Sequence, residues 1–249
     1  MSNPWLGVVL FVVATAISVV AYPFLPETVP IHWNMQGEAD GFAPKAVALA
    51  LTPALILVFA GLLRILPAID PKREQVRRFE RSYRTVVNLI LTLLLVIHAM
   101  VVANGAGWSV DVSVVLPLLI GLLFLFLGNE MPRFRQNFFL GIRTPWTVSD
   151  EEVWRQTHRV GGRVFVVGGA LMMAASFLPA PHRFAVFLAA AVASSVIPVV
   201  LSFVYYRRAR GEASGRGQTE GVPNQKEGRT CGSPERCGIE AACGAALPW

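Results

Sequence analysis

Six long apolar runs govern what this chain can become, at about residues 5–24, 46–69, 86–104, 112–127, 163–178 and 183–206. A helix needs about 20 apolar residues to cross the hydrocarbon core of a bilayer. The fourth and fifth runs reach that length only by borrowing flanking residues. In lipid every backbone polar group must find a partner within the protein, so only helices and closed barrels can span. These runs are continuous and lack the alternation of barrel strands. The expected fold is therefore all-α, a polytopic membrane bundle of six transmembrane helices. Composition agrees, since only 15% of residues are charged and the mean hydropathy is +0.52, against about 25% charged in soluble domains. A net charge of +6 would suggest nucleic acid in a soluble protein. Here the basic residues flank apolar spans, where they set orientation, and no direct nucleic-acid binding is expected. The first run has no basic segment before it and continues apolar past Ala14-Thr15-Ala16, so it reads as a retained anchor.

The connectors alternate in charge. Lys72, Arg73, Arg77, Arg78, Arg81 and Arg84 lie between the second and third runs, and Arg133, Arg135, Arg143, Arg155, Arg159 and Arg163 between or at the edges of the fourth and fifth. The first connector sets Glu27, Glu38 and Asp40 against Lys45, the third carries only Asp111, and the fifth has Arg183. By the positive-inside rule both termini and both basic connectors face the cytoplasm. The chain divides into an N-terminal membrane domain (1–69) with an extracytoplasmic loop at 26–45, a basic connector (70–85), a second membrane domain (86–206) with a long loop at 128–162, and a tail (207–249). Arg207, Arg208 and Arg210 are expected to end the last helix, and the Gly-, Pro- and Ser-rich tail reads as disordered. Its Cys231, Cys237 and Cys243 recur every six residues, which is neither a disulfide framework nor a zinc spacing.

The 128–162 loop, GNEMPRFRQNFFLGIRTPWTVSDEEVWRQTHRVGG, interleaves its arginines with Phe134, Phe138, Phe139, Trp146 and Trp154. That mixture suits the membrane–water boundary, with rings at headgroup depth and guanidinium groups toward phosphate and water. Ser149-Asp150-Glu151-Glu152 has the form of a capping box. It predicts a short amphipathic helix from Asp150 to about Val160, burying Val153, Trp154, Thr157 and Val160, before Gly161-Gly162 turns the chain into the next span. Arg143 has two readings: a planar fork for a phosphate or carboxylate, or a cap on nearby carbonyls and a contact with headgroups.

In the first connector Val29, Ile31 and Trp33 alternate with polar residues, as in a short strand with one apolar face, and Asp40-Gly41 is a turn signal. A small ordered cap is expected there. His32 has no Cys or other His nearby in sequence, so it reads as an interfacial hydrogen-bonding residue and no metal is expected. Within the spans, Pro53, Pro117 and Pro198 free the carbonyls of Leu49, Ser113 and Ser194. His98 and Asn88 either mark a polar pathway or bond between helices. No Asp or Glu lies deep in a span, which weakens ion-coupled transport. Gly161, Gly168 and Ala175, and likewise Gly162, Gly169 and Ser176, recur every seven residues. With Ala190, Ala191, Ser194 and Ser195 opposite them, they predict that the last two helices pack closest.

At these residues the chain resembles a known group. The 128–162 stretch looks like the signature region of the SdpI-like bacterial membrane proteins, which give immunity to a sporulation-delaying peptide toxin. LPETVPIHWNMQGEADGFAPK looks like the small N-terminal domain of unknown function that often precedes it. The matching positions are Pro30, His32, Trp33, Asn34, Gly37, Asp40 and Gly41 in the first stretch. In the second they are Gly128, Asn129, Met131, Pro132, Asn137, Gly141, Arg143, Thr144, Pro145, Trp146, Trp154, His158, Gly161 and Gly162. The resemblance implies a multi-pass protein of the bacterial cell membrane that protects against a secreted toxic peptide. His32, Trp33, Asn34, Gly37, Asp40 and Gly41 would meet the ligand, and the second set would form a cytoplasmic motif. In the type member a transcriptional repressor is also held at the membrane. No cofactor is implied. His158 near Glu151 and Glu152 does not make a hydrolase, because neither H-E-x-x-H nor G-x-S-x-G is present. The competing reading is a small transporter or lipid-handling permease.

Overall fold

A computed structural model describes residues 4–219. Its elements are α1 (Pro4–Ala21), β1 (Thr28–Trp33), β2 (Ala39–Pro44), α2 (Lys45–Ile69), α3 (Arg73–Arg78), α4 (Glu80–Gly105), α5 (Val112–Glu130), α6 (Pro145–Ser149), α7 (Glu151–Ala175) and α8 (Ala180–Thr219). The protein is an all-α membrane helix bundle with one two-stranded sheet. Among the described residues five helices are long and apolar enough to cross a bilayer: α1, α2, α4, α5 and α8. Met1–Gly211 forms one compact unit. The second unit, Glu212–Trp249, is described only as far as Thr219, the end of α8. The three cysteines lie outside the described residues.

The run expected to make a sixth crossing lies in α7, which is not among those five helices, and its form differs from the sequence reading. The amphipathic segment and the following apolar run are one continuous helix with Gly161-Gly162 inside it. Two glycines within a helix cost backbone entropy, and close packing offsets that cost here. A Cβ on Gly162 would stand 2.6 Å from the Gly128 carbonyl oxygen, and one on Gly161 would stand 2.9 Å from Ile142 Cδ1. The predicted capping box is also displaced. Asp150 caps α7, its carboxylate accepting from Val153 N–H at 2.9 Å, while the reciprocal box is Thr144 with Thr147 at the start of α6. Ser149 turns back to the Trp146 carbonyl instead.

The two small-residue stripes of α7 serve two different neighbours. Gly162 and Gly169 face α5, where Gly128 and Gly121 stand opposite them in antiparallel register. A Cβ on Gly169 would lie 2.5 Å from the Gly121 carbonyl oxygen. Gly168 faces α8, against Ser194 and Ala190. The expectation that both stripes serve the last helix is thus corrected: the second stripe seats α7 on α5. Periodicity identifies a contact face but not its partner.

α1, α2 and α4 pack through Leu10, Ala14, Ile56 and Leu91. His98 is fully enclosed, with Nε2 3.0 Å from Ser18 Oγ and 3.2 Å from the Ala14 carbonyl, which is the helix-bridging arrangement of the two readings given for it. The hairpin β1–β2 is antiparallel, with irregularities at Pro30/His32 and His32/Trp33. These spoil strict alternation. Val29 is fully buried among Leu25, Ala48, Leu49 and Val101, whereas Ile31 is exposed. The turn lies at Asn34–Glu38, where Asn34 Oδ1 accepts from Gln36 and Glu38 N–H and Gly37 has φ +85°. Asp40 and Gly41 stand in β2 and not in the turn. Finally, Arg207, Arg208 and Arg210 do not end α8, which runs to Thr219. Arginine is a good helix former, so these charges can mark the edge of an apolar span without breaking its helix.

Candidate functional sites at the two ends of the bundle

The stretch between α5 and α7 folds as a compact cap on one end of the bundle. Its core joins it to the basic connector: Val76, Phe79, Tyr83 and Val86 pack with Met131, Phe134 and Trp154. Both connectors carry rings and aliphatics on the side opposite their arginines. Each therefore gains a buried face by packing on the other, at the end where α2 stops and α4 begins.

Polar side chains inside this cap satisfy its irregular backbone. Asn137 is buried and makes four bonds. Its Oδ1 accepts from Phe139 and Leu140 N–H at 2.9 and 2.7 Å, and its Nδ2 donates to the Arg135 and Leu140 carbonyls at 2.8 and 3.0 Å. Asp70, just past α2, accepts from Lys72 N–H at 2.7 Å and from Phe138 N–H at 3.0 Å. Gln136 accepts from Lys72 Nζ and donates to the Thr147 and Val148 carbonyls. Thr147 Oγ1 bonds the Ile142 carbonyl at 2.9 Å. An unpaired buried polar group costs about 1–3 kcal/mol, so these bonds hold the cap in one conformation.

His158 and Gly141 form a matched pair. His158 Nδ1–H donates to the Trp154 carbonyl at 2.8 Å, which leaves Nε2 to accept from Ile142 N–H at 3.0 Å. Burial pushes the imidazole down to about 4, against the smaller upward pull of the Trp154 carbonyl. The ring is therefore a neutral structural acceptor. Gly141 has φ +109°, and a Cβ there would meet His158 Nε2 at 2.4 Å, so the position excludes side chains on two counts. Trp154 stacks on His158 with centroids 4.1 Å apart and donates Nε1–H to the Phe134 carbonyl at 2.9 Å. Trp146 donates to Ser202 Oγ at 2.6 Å and packs on Phe203, tying the cap to α8. Pro145 opens α6, and Pro132 touches the Gly162 position. Met131 is buried, whereas Asn129 is exposed. Arg143, also exposed, donates to the Phe138 carbonyl, which is the capping arrangement of the two considered for it.

Sequence reasoning does not reach Asp70, Gln136, Thr147 or Ser202. Asp70 stands directly before Pro71 at the end of an apolar run, a position from which a carboxylate can cap the next turn of chain. That is the one available signal. Nothing local pairs Gln136 with Thr147 or Trp146 with Ser202.

At the opposite end the hairpin leans on the start of α5. A Cβ on Gly37 would lie 2.9 Å from Ser113 Cβ, and one on Gly41 would lie 2.8 Å from His32 Cβ. His32 Nδ1 and Asp40 Oδ1 pair at 2.6 Å on the surface, and Asn34 Nδ2 donates to Glu38 at 3.1 Å. A cleft of about 430 Å³ opens beside them. The hairpin side supplies His32, Trp33 and Asn34, and the far wall is Leu116, Phe184 and Phe187. Arg183 bonds Ser113 Oγ and lies 3.5 Å from Asp111. Asp111 is held below the usual carboxylate range, first by its bond from Ser113 and also by Arg183. All six expected ligand-facing residues thus stand in one hairpin, four of them (His32, Trp33, Asn34 and Asp40) on the cleft. Among the described residues no cluster of His, Cys, Asp and Glu could hold a metal ion.

Comparison with known proteins bears on both ends. Residues 133–205 match the SdpI/YfhL protein family, and residues 9–57 match a domain of unknown function, DUF1648. The chain is 25% identical over 211 residues to the immunity protein SdpI of Bacillus subtilis (strain 168), covering 85% of this chain and 99% of that one. It is 35% identical over 54 residues to the uncharacterized membrane protein YbgB of the same organism, covering 22% of this chain and 59% of that one. No solved structure matches.

Proposed function

The chain is an SdpI-like membrane protein with a DUF1648 region ahead of it, and from that premise we propose that it is an immunity protein protecting its cell from a secreted toxic peptide. The observation that carries this is likeness to an immunity protein along nearly that protein's whole length. Its role is non-enzymatic: the one strongly perturbed histidine outside the spans, His158, has both ring nitrogens engaged by backbone groups.

The two ends have separate tasks. The cap built on 70–85 and 128–162 faces the cytoplasm, with the N- and C-terminal ends of the chain, and the hairpin faces outward. His32, Trp33, Asn34, Gly37, Asp40 and Gly41 present the face that meets the peptide. The Arg-rich cap presents a surface to a cytoplasmic partner, and a transcriptional repressor is the partner the resemblance suggests. The division into an N-terminal domain, a basic connector and a second membrane domain accords with the same scheme. The permease reading loses ground because His98, its proposed pathway residue, is enclosed by Ser18 and the Ala14 carbonyl.

Deletion of the gene should raise sensitivity to a peptide secreted by the same strain or a neighbour, and reintroducing the wild-type gene should restore resistance. Unchanged sensitivity to every secreted peptide fraction would refute the assignment. Orientation is separately testable by replacing Glu38 and Gln156, both exposed, with cysteine and labelling intact cells with an impermeant thiol reagent. Only the Glu38→Cys protein should label.

A further inference from the structure

The cap carries a cavity on its arginine-rich face. It measures about 670 Å³ and is walled by the loop (Arg133, Arg135, Gln136) and by the first turns of α7 (Glu151, Glu152, Arg155, Arg159), with Phe134 and Trp154 behind. Four guanidinium groups face two carboxylates. Arg155 is engaged by Glu152, which also accepts from Gln156, and Arg133 is engaged by Glu130 and the Asn129 carbonyl. Among the described residues, the Arg135 and Arg159 side chains meet no carboxylate and no carbonyl, yet they line the same cavity. The net charge of its lining is positive, and its back wall is buried and apolar, which screens a bound charge less than open water does.

Depth identifies the source of a counter-charge. Arg159 lies one helical turn, roughly 6 Å, before Arg163, where the apolar half of α7 begins. With residues 163–178 read as a crossing, as the sequence suggests, Arg159 stands at headgroup depth. We infer that this cavity is a binding site for the phosphate of an anionic phospholipid, with Arg135 and Arg159 as its fork donors. Guanidinium groups match phosphate oxygens in paired geometry. Glu151, which has no partner among the described residues, keeps the phosphate on the Arg135/Arg159 side by repulsion. The site does not depend on the immunity assignment, and it gives the cap a lipid-dependent anchor.

The test uses the full chain purified in a maltoside detergent. Phosphatidylglycerol, phosphatidylcholine or inorganic phosphate is added and bound lipid is read by native mass spectrometry. The wild type should retain phosphatidylglycerol in preference to phosphatidylcholine. The Arg135→Gln/Arg159→Gln protein should bind it about tenfold or more weakly, the effect expected for losing charge-assisted bonds. Arg77→Gln/Arg78→Gln, an equal loss of charge on the neighbouring connector, should stay within about twofold, as expected for screened surface charge. If the first variant misfolds, phenylglyoxal modification of the wild type decides the matter, because phosphatidylglycerol should shield Arg135 and Arg159 but not Arg77 and Arg78. Equal weakening of the two variants, or no selective shielding, would overturn the inference. So would protection by millimolar inorganic phosphate alone, or displacement of the lipid by a polyglutamate peptide, which would reassign the cavity to a free anion or an acidic protein surface.

Discussion

At the hairpin end the side chains of His32 and Asp40 are 71% and 45% exposed, while at the arginine end Asn137, Thr147 and His158 are almost wholly enclosed. Both ends resemble regions of the same kind of protein, and both are rich in polar residues within a short stretch. The hairpin leaves its polar groups at the surface beside an apolar cleft. The cap turns most of its polar motif residues inward to satisfy a backbone that has no regular partner. Residues in a motif can therefore mark a surface or a scaffold, and burial separates the two. By this measure His32 and Asp40 lie open at the surface, with Trp33 and Asn34 half-buried beside the cleft. Asn137, Gly141, Thr144, Trp154 and His158 build the platform from which Arg135 and Arg159 project.

The contrast can be broken most forcefully at the platform's base. Gly169→Leu places side-chain atoms where the α5 backbone stands. Forced separation of two packed helices should cost more than the roughly 1–3 kcal/mol of ordinary overpacking. The expected result is loss of folded protein from the membrane fraction, read by abundance and by gel filtration in detergent. Normal abundance would show that α5 and α7 are not locked together. Asn137→Ala comes next. It leaves two N–H and two carbonyl groups without partners, and unfolding stability should fall by about 3 kcal/mol, with proteolysis at 128–150 as a local readout.

The third prediction concerns pH. The folded His158 sits near 4 against an ordinary 6.5, so its native state favours the neutral ring. Its stabilisation is complete above pH 6.5 and is lost as pH falls from 6.5 toward 4, by roughly 3 kcal/mol in full. His158→Asn should lower stability near neutrality and flatten the slope in that window. A wild-type slope in the opposite direction would show that the ring is protonated in the folded cap. The smallest stability effect should come from the hairpin. His32→Ala and Asp40→Ala remove an exposed pair worth less than about 1 kcal/mol, so unfolding should barely change while protection against the peptide falls. Loss of stability on a par with Asn137→Ala would erase the distinction between the two ends.

Much of the fold is legible because lipid imposes simple demands. The apolar runs locate α1, α2, α4, α5 and α8, and charge separates the ends of the bundle. Val29 and Trp33 mark a strand, and Val153, Trp154 and Thr157 mark the buried face of α7. The departures have a common cause. Gly161-Gly162 reads as a break because an isolated helix would be weakened there, yet the carbonyl of Gly128 fills the space a side chain would need. Asp40-Gly41 reads as the turn because that dipeptide suits one, yet Asn34 and Gly37 close the hairpin. In the helix a neighbour distant in sequence overrules local propensity, and in the hairpin the packing of Gly37 on Ser113 does the same.

Length and hydrophobicity alone determined that this chain is a helical membrane protein, because an unpartnered peptide group in hydrocarbon costs too much for other open structures. The spacing of small residues likewise established that α7 must meet its neighbours closely. Only the tertiary structure decided which neighbour takes which stripe, that the basic connector and the arginine loop share one core, and that Arg135 and Arg159 face a cavity while Arg143 caps a carbonyl. Those outcomes depend on contacts between residues far apart in the chain, such as Asp70 with Phe138, 68 positions on. No local pattern can encode a distance of that kind.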